Sequence, residues 1–423
     1  MRVGEDRASS AGVGASRQGW LVLGGAGAAF AVSALVMQSY PVFLLAYLAT
    51  FGWSRAATSL GYSVAQLAAG ASSPLVGGLA DRLGAGRVVL FGGLVLALGA
   101  VANAGVWALW QVVLLYGIVM TFGASALGIV VFVPILSRHF VRRRGMAVAV
   151  LQSAGAFGRA LAIPVAEFTI SAIGWRAAYL AEAALIGVLL VPLARLFRRA
   201  EGLREKVVPA SAVSKAPPPV AAPHADWTLT RAMRTRHFWL LVAVYLFTGF
   251  GSFLVTLHQL AFAVAEGFPK LYAAGVIGAG GSLAIVGIIL TGTLSDFVGR
   301  ELSAIFSYAA SILGDVFALF ISGPEDRVFF WLFACLFGLT LGARGPPIAA
   351  KTADLFAGRQ LGRILGVITI GSGIGAALGA WSAGRIFDLT GSYRLAFYLS
   401  IASYSLGALT FWLLRRPARA VTR

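Results

Sequence analysis

The sequence predicts an all-α membrane protein of twelve transmembrane helices in two related halves of six. Three observations carry this reading. Of 423 residues, 59% are hydrophobic and only 12% are charged, whereas soluble domains carry about 25% charged residues. The apolar residues gather into long continuous runs separated by short basic gaps. Short motifs of the first half return in the second at a nearly constant offset. The single cysteine, Cys335, excludes an intrachain disulfide or a thiolate zinc cage. A net charge of +18 would suit nucleic acid, but the basic residues sit between apolar runs, where they orient a membrane protein.

A helix crosses a bilayer with about 20 apolar residues. Such runs lie at 20–48, 57–80, 88–108, 111–136, 145–171, 177–197, 237–265, 272–293, 302–322, 328–349, 362–386 and 394–414. Barrel strands would instead alternate over about 10 residues. Val32-Ser33-Ala34 imitates a signal-peptidase site, but the first run continues past it, so it reads as a span.

An even number of spans puts both termini on one side. On that side Lys and Arg number 26, against 6 on the other (Arg55, Arg176, Lys270, Arg327, Arg385 and Arg394). The richer side is cytoplasmic by the positive-inside rule. The expected organisation is a cytoplasmic tail at 1–19, a six-helix bundle at 20–197, a cytoplasmic linker at 198–236, a second bundle at 237–414 and a tail at 415–423. Within the linker, Val207 to Pro223 is rich in Ala, Pro, Ser and Val and reads as a flexible tether. Trp227 to His237 reads either as a basic amphipathic helix on the inner leaflet or as a solvated connector.

The halves are related. Gly77-Gly78-Leu79-Ala80-Asp81-Arg82-Leu83-Gly84 follows run 2, and Gly292-Thr293-Leu294-Ser295-Asp296-Phe297-Val298-Gly299 follows run 8, the aspartates 215 residues apart. Gly174-Trp175-Arg176-Ala177-Ala178-Tyr179 opens run 6, and Ser392-Tyr393-Arg394-Leu395-Ala396-Phe397 opens run 12, the arginines 218 apart. The first motif, continued to Arg87, resembles the signature of the major facilitator superfamily of secondary transporters. Within it the chain is most similar to the monocarboxylate-porter and oxalate–formate-antiporter group. The residues carrying that likeness are Gly52-Trp53-Ser54-Arg55, Phe140 before Arg142-Arg143-Arg144-Gly145, Gly174-Trp175-Arg176 and Asp388-Leu389-Thr390-Gly391-Ser392-Tyr393.

The resemblance implies two pseudo-symmetric six-helix bundles around a central cavity, and a conformational latch. Gly77, Asp81, Arg82, Gly84 and Arg87 form its first copy. Gly292, Asp296, Gly299 and Arg300 form the second, where Phe297 replaces an expected Arg. An aspartate at a helix end can face the positive N-terminus of a neighbour. By resemblance Asp81 faces the start of run 11 near Gly362, and Asp296 the start of run 5 near Gly145. The plainer reading is that these charges keep short loops in water.

Charges inside a span are costly and mark a site or a partner. Arg159 falls at the middle of run 5, with Ser153, Gly155 and Gly158 nearby. A planar guanidinium there suits a carboxylate; an ion pair with Glu167 or Glu182 is the competing reading. Monocarboxylate-type carriers place a substrate arginine eight residues before the second motif aspartate, where this chain has Ile288, so Arg159 is expected to replace it. His258 and Gln259 in run 7 suit binding or a proton relay, or plain packing. Gln38 and Tyr40, beside Pro41, are further candidate donors, with Gln152 and Gln66 weaker. Asp315 and Glu182 read as packing or rim residues, and Arg344 as an anchor reaching the inner interface.

No phosphate loop, metal-spaced histidine pair or dinucleotide loop is recognisable, so neither an enzyme nor a cofactor is expected. The glycines of run 11 (Gly366, Gly371, Gly373, Gly375 and Gly379) read as close helix packing. The expected function is secondary transport of a small organic anion, a monocarboxylate foremost, across the cytoplasmic membrane, with a proton or a counter-anion. The alternatives are an exporter of amphipathic or drug-like compounds and a non-transporting receptor on a carrier fold. The expected partners are the lipid bilayer, the anion and the coupling ion, and no nucleic acid.

Overall fold

The computed structural model describes residues 5–140, 144–207, 227–356, 358 and 360–415; for 5–18, 137–139, 144–145, 194, 198–207 and 296 only the backbone is described. The expected tether lies outside the described residues. No strand occurs among those described.

Ten apolar helical stretches are long enough to cross a membrane. One of them, Met146–Phe197, is two spans, because Gly174 leaves the helical region at φ 80° and ψ 159°. The helix Arg55–Leu83 brings the number to twelve; its Ser, Thr and Gln residues make it more polar than the rest. We number the spans in order: 1, Gly19–Phe51; 2, Arg55–Leu83; 3, Ala85–Ala104; 4, Leu109–Leu136; 5, 146–173; 6, 175–197; 7, Arg236–Ala265; 8, Lys270–Ser295; 9, Arg300–Leu319; 10, Arg327–Leu355; 11, Leu361–Thr390; 12, Arg394–Leu413. Large apolar side chains such as Phe168, Val188, Phe306 and Val328 stand exposed along them, as lipid-facing surfaces require.

The duplication is written into the backbone. Gly84 (φ 83°, ψ 150°) ends span 2 and caps span 3, and Gly299 (φ 92°, ψ 158°) does the same between spans 8 and 9. Both dihedral pairs lie where only glycine is comfortable. A further pair also sits 215 residues apart, Gly52 at φ 67° and Gly267 at φ 89°. Each is followed by an aromatic residue and, three positions on, by a cation, Arg55 or Lys270.

Spans 1, 4, 7 and 10 are all interrupted. Span 1 breaks at Ser39, where Pro41 opens the next helix. Span 4 contains a π-helical turn, Leu115–Met120, and a break at Leu127–Gly128. Span 7 breaks at Leu257–His258, and span 10 between Thr340 and Gly345, with Gly342 at φ 83°. Span 8 has a smaller interruption at Leu283. Freed backbone groups inside a membrane need new partners. At the span 10 break the Ala343 carbonyl accepts the Thr291 hydroxyl at 2.7 Å.

The chain packs as two units. The first holds the described residues of 1–39, 71–162 and 169–216. In it span 1 lies close on span 5, since a Cβ on Gly158 would collide with the Ala31 carbonyl and one on Gly155 with the Phe30 ring. These glycines therefore serve close packing, against span 1. Spans 3 and 4 meet through Gly92 and Gly123, and Phe132 stacks on Phe197.

The second unit holds the described residues of 40–70, 163–168 and 217–423. Its core includes Phe238, Leu241, Val244, Tyr308, Ile364, Ile368, Tyr404 and Phe411. Span 11 lies against span 7 through glycines one turn apart. A Cβ on Gly371, Gly375 or Gly379 would collide with the carbonyls of Val242, Leu246 and Phe250 in turn. The close-packing reading of these three is what the structure contains; Gly366 has no such neighbour.

Two expectations are corrected here. The stretch 227–237 is not one amphipathic helix on lipid. It holds a five-residue helix, Leu229–Met233, before Thr235 caps span 7. That short helix is docked on protein: Trp227 meets Phe356 edge-on at 5.2 Å, and Leu229 N–H donates to Gln360 Oε1. Arg344 does not reach an interface either. The span 10 break turns it inward, and it is only 4% exposed.

Candidate functional site

Two polar clusters lie within the second unit, both built on span 7. The first forms where span 7 breaks. His258, 1% exposed, lies between the helices Arg236–Thr256 and Gln259–Ala265. Its Nε2 is 2.9 Å from the Ala380 carbonyl, which can only accept, so Nε2 carries a proton. The Ser59 hydroxyl, 3.2 Å away, donates to the Arg55 carbonyl and shares that Nε2–H as acceptor. Nδ1 is 3.1 Å from the Tyr393 hydroxyl, which in turn accepts from Arg55 Nη1 at 2.6 Å. The directions agree along the whole chain: Arg55 donates to Tyr393, Tyr393 to His258, and His258 to span 11. Both ring nitrogens of this histidine are thus satisfied.

Asp388 completes this cluster. Its two oxygens accept the backbone N–H groups of Arg55 and Ala56, each at 2.9 Å. A carboxylate on the first turn of span 2 offsets the partial positive charge of that helix end. The Arg55 guanidinium lies 3.7 Å above the Phe387 ring, a cation–π contact. Span 11 comes close enough because Gly384 has no side chain; a Cβ there would be 2.8 Å from Ala56 N. Burial pushes the Tyr393 hydroxyl above its ordinary range, with the Arg55 charge opposing.

The second cluster surrounds Arg344. Its Nη1 donates to Ser311 Oγ at 2.8 Å and its Nη2 approaches Ser252 Oγ at 3.4 Å. The guanidinium lies 4.9 Å from the Tyr308 ring and 4.5 Å from the Tyr404 ring. Among the described residues no carboxylate comes within 4.0 Å of it. Asp315, fully buried, accepts from Ser400 Oγ at 2.6 Å, and its Oδ1 has no partner. The cluster joins spans 7, 9, 10 and 12. It was missed in the sequence because a helix through 341–344 would have carried Arg344 to the membrane face. The signal available was Gly342 beside Gly345-Pro346-Pro347, a helix-stop followed by a helix-start.

The other expected residues are placed as follows. Arg159 is half-buried in span 5 and Glu182 is buried in span 6. Gln259, 9% exposed, opens the second helix of span 7. Tyr40 is fully buried, and its hydroxyl donates to the Thr58 carbonyl at 2.6 Å. Gln38 is half-buried and Gln152 exposed. His258 and Gln259 are neighbours at the span 7 break, and His258 belongs to the network described above.

In the latch motifs, Asp81, Arg82 and Arg87 are exposed and Gly84 is the positive-φ cap. A Cβ on Gly77 would meet Val130 at 3.3 Å, whereas Gly292 faces open space. Arg300 donates to Ser295 Oγ at 2.8 Å and approaches Asp354 at 3.7 Å, tying span 9 to the end of span 10. The Asp296 side chain lies outside the described residues, and of Gly145 only the helical backbone is described.

The sequence profile of the Major Facilitator Superfamily matches residues 23–350 and 285–423, which together take in nearly the whole chain. The chain belongs to the Major Facilitator Superfamily. It is a multi-pass membrane protein whose relatives are transporters rather than enzymes. It is 26% identical to monocarboxylate transporter 13 of Bos taurus over 399 residues, covering 92% of this chain and 88% of that protein. To monocarboxylate transporter 11 of Homo sapiens it is 26% identical over 404 residues, covering 90% and 80%. To the uncharacterised MFS-type transporter YcxA of Bacillus subtilis it is 23% identical over 390 residues, covering 88% and 89%. The crystal structure of a point mutant of the nucleoside transporter NupG superposes with a TM-score of 0.72 at 14% identity, covering 94% of this chain and 99% of that one. That likeness carries the fold alone.

Proposed function

We propose that this superfamily member moves small organic anions, monocarboxylates foremost, by alternating access of the bundles 20–197 and 237–414. The observation that supports the substrate class most is the match to monocarboxylate transporters along nine-tenths of the chain. Arg159 is the group assigned to the carboxylate, since it stands inside span 5 and can grip two oxygens at once. His258, Gln259, Gln38, Tyr40 and Gln152 are assigned to the same path. The motifs around Asp81 and Asp296 are assigned to a cytoplasmic latch, and the coupling partner is a proton or a counter-anion. The 26-to-6 charge bias supports cytoplasmic termini in the inner membrane.

The test is uptake of radiolabelled lactate and pyruvate into proteoliposomes, with and without a proton gradient. Arg159→Gln should weaken anion binding about ten- to a hundredfold in a protein that still folds. If Arg159 only neutralises Glu167, the single variant is destabilised and Arg159→Gln with Glu167→Gln restores stability and uptake. Unchanged anion binding in a folded Arg159→Gln protein removes the carboxylate site. Asp81→Asn should slow transport while leaving affinity within about threefold, because the latch biases one conformation. The second reading, export of amphipathic compounds, is favoured by one observation: between Lys270 and Asp296, span 8 has no charge, Ile288 included. Saturable movement of a lipophilic cation, with no carboxylate uptake, would select it.

A further inference from the structure

The cluster at Arg55 ties together residues more than 330 positions apart in the chain. The first turn of span 2 is held by Asp388 and Tyr393, which flank the connection between spans 11 and 12, and by His258 at the break in span 7. One turn further along span 2, Ser63 Oγ donates to the Ala377 carbonyl of span 11 at 2.7 Å. On the face of span 2 pointing to span 11, everything from Arg55 to Ser63 is therefore covered. Arg55, Arg385 and Arg394 all belong to the side poorer in basic residues, which is the outer side.

We infer that Arg55, Asp388 and Tyr393 are positioning residues for transport, forming a gate that closes the path on the side away from the latch motifs. Their contacts are of a kind that opens and recloses. Asp388 grips backbone N–H groups rather than a side chain, so water can replace it in one step. Arg55 is planar and half-buried, and slides off the Phe387 ring without leaving a buried unpaired charge. The core behind it is different, because His258 and Tyr393 are almost fully buried and keep their bond to each other. The inference rests on alternating access, which requires each side to close in turn.

The experiment reads the gate without any substrate. Cys335, the single native cysteine, is replaced by Ser. A reporter, Ser63→Cys, is placed under the gate, and a control, Ser403→Cys, is placed in span 12, where the native hydroxyl likewise bonds a neighbouring carbonyl, that of Phe247. Both serines are buried. Labelling by a hydrophilic maleimide is measured in nanodiscs, where both faces are accessible. Asp388→Asn and Arg55→Gln should each speed labelling of the Ser63→Cys reporter about tenfold, the shift expected from losing one charge-assisted hydrogen bond, and leave the Ser403→Cys control unchanged. Asp388→Glu should return the rate toward the parent. Should Asp388→Asn not fold, Tyr393→Phe carries the test, since it removes only the hydroxyl between Arg55 and His258. Unchanged reporter labelling in these variants overturns the gate. So does a parallel rise at both cysteines, which means general loosening. Faster labelling in a protein that takes up no carboxylate leaves the gate standing and removes the monocarboxylate reading. Native uptake with unchanged labelling removes the gate alone.

Discussion

Span 7 carries both polar clusters, only six residues apart at Ser252 and His258, and they are built on opposite principles. The Arg344 cluster joins four spans of the second half and shuts a guanidinium between two tyrosine rings. Its charge is met by hydroxyls, and one oxygen of Asp315 is left without a partner. The Arg55 cluster draws in span 2 from the other half of the chain. Both ring nitrogens of His258 and both oxygens of Asp388 have partners in it, and its carboxylate sits at a helix end. A buried charge with neutral partners is costly to disturb, whereas a charge at a helix end, close to water, exchanges partners cheaply. The pair shows how one helix can border a sealed charge at one level and a charge open to water at the next.

The comparison breaks most sharply at Arg344. Arg344→Gln should lose about 3 kcal/mol, from a charge-assisted hydrogen bond and the aromatic contacts together, and give the largest fall in unfolding temperature in detergent. Arg344→Lys should recover less than half of it, because an ammonium cannot lie flat between Tyr308 and Tyr404. An unchanged melting temperature for Arg344→Gln would place the two clusters in one class.

The next effect concerns the packing that holds span 11 on span 7 and so holds His258 beneath Ala380. Gly375→Val must push atoms into the Leu246 carbonyl, which the new Cβ already overlaps, and should lose about 1–3 kcal/mol. Gly366→Ala on the same span, with nothing within 4 Å, is the matched control and should leave melting unaltered. A smaller effect is expected within the Arg55 cluster. A double-mutant cycle of Tyr393→Phe and His258→Asn should give a coupling of about 1 kcal/mol; additive losses would mean that the bond between them contributes nothing.

The smallest effect is on pH dependence. Burial raises the pKa of Glu266, just beyond span 7, above the ordinary carboxylate value, with Arg394 opposing. The folded protein then holds this proton more tightly than the unfolded chain. Stability linked to it is complete below the unfolded value and is lost as pH rises through the raised one. Unfolding temperature measured against pH should therefore fall slightly across that window, and Glu266→Gln should flatten the fall. A slope of opposite sign would contradict the shift.

The sequence displays the periodic part of this molecule and hides the non-periodic part. Twelve runs, the repeated motifs and the glycines of span 11 are legible because hydropathy and spacing express them directly. The breaks are not, since an apolar run continues through Leu257 and through Leu341 whether or not the backbone stays helical. Arg344 illustrates the consequence: an unbroken helix takes it to the membrane face, and four non-helical residues take it inside. Arg55 illustrates another. Its partners lie more than 330 residues away, and no local pattern announces a pairing at that distance. His258 stands out with Gln259 as a polar pair in an apolar run, yet only the structure shows which groups satisfy the histidine.

The joint at Gly84 is one residue long: span 2 ends at Leu83 and span 3 begins at Ala85. A loop of several residues would absorb a change in tilt as slack, while a single residue held in one backbone well has nothing to give. Gly84 therefore fixes the angle between the end of span 2 and the start of span 3. Two glycines inserted at this point should leave each helix intact and free that angle.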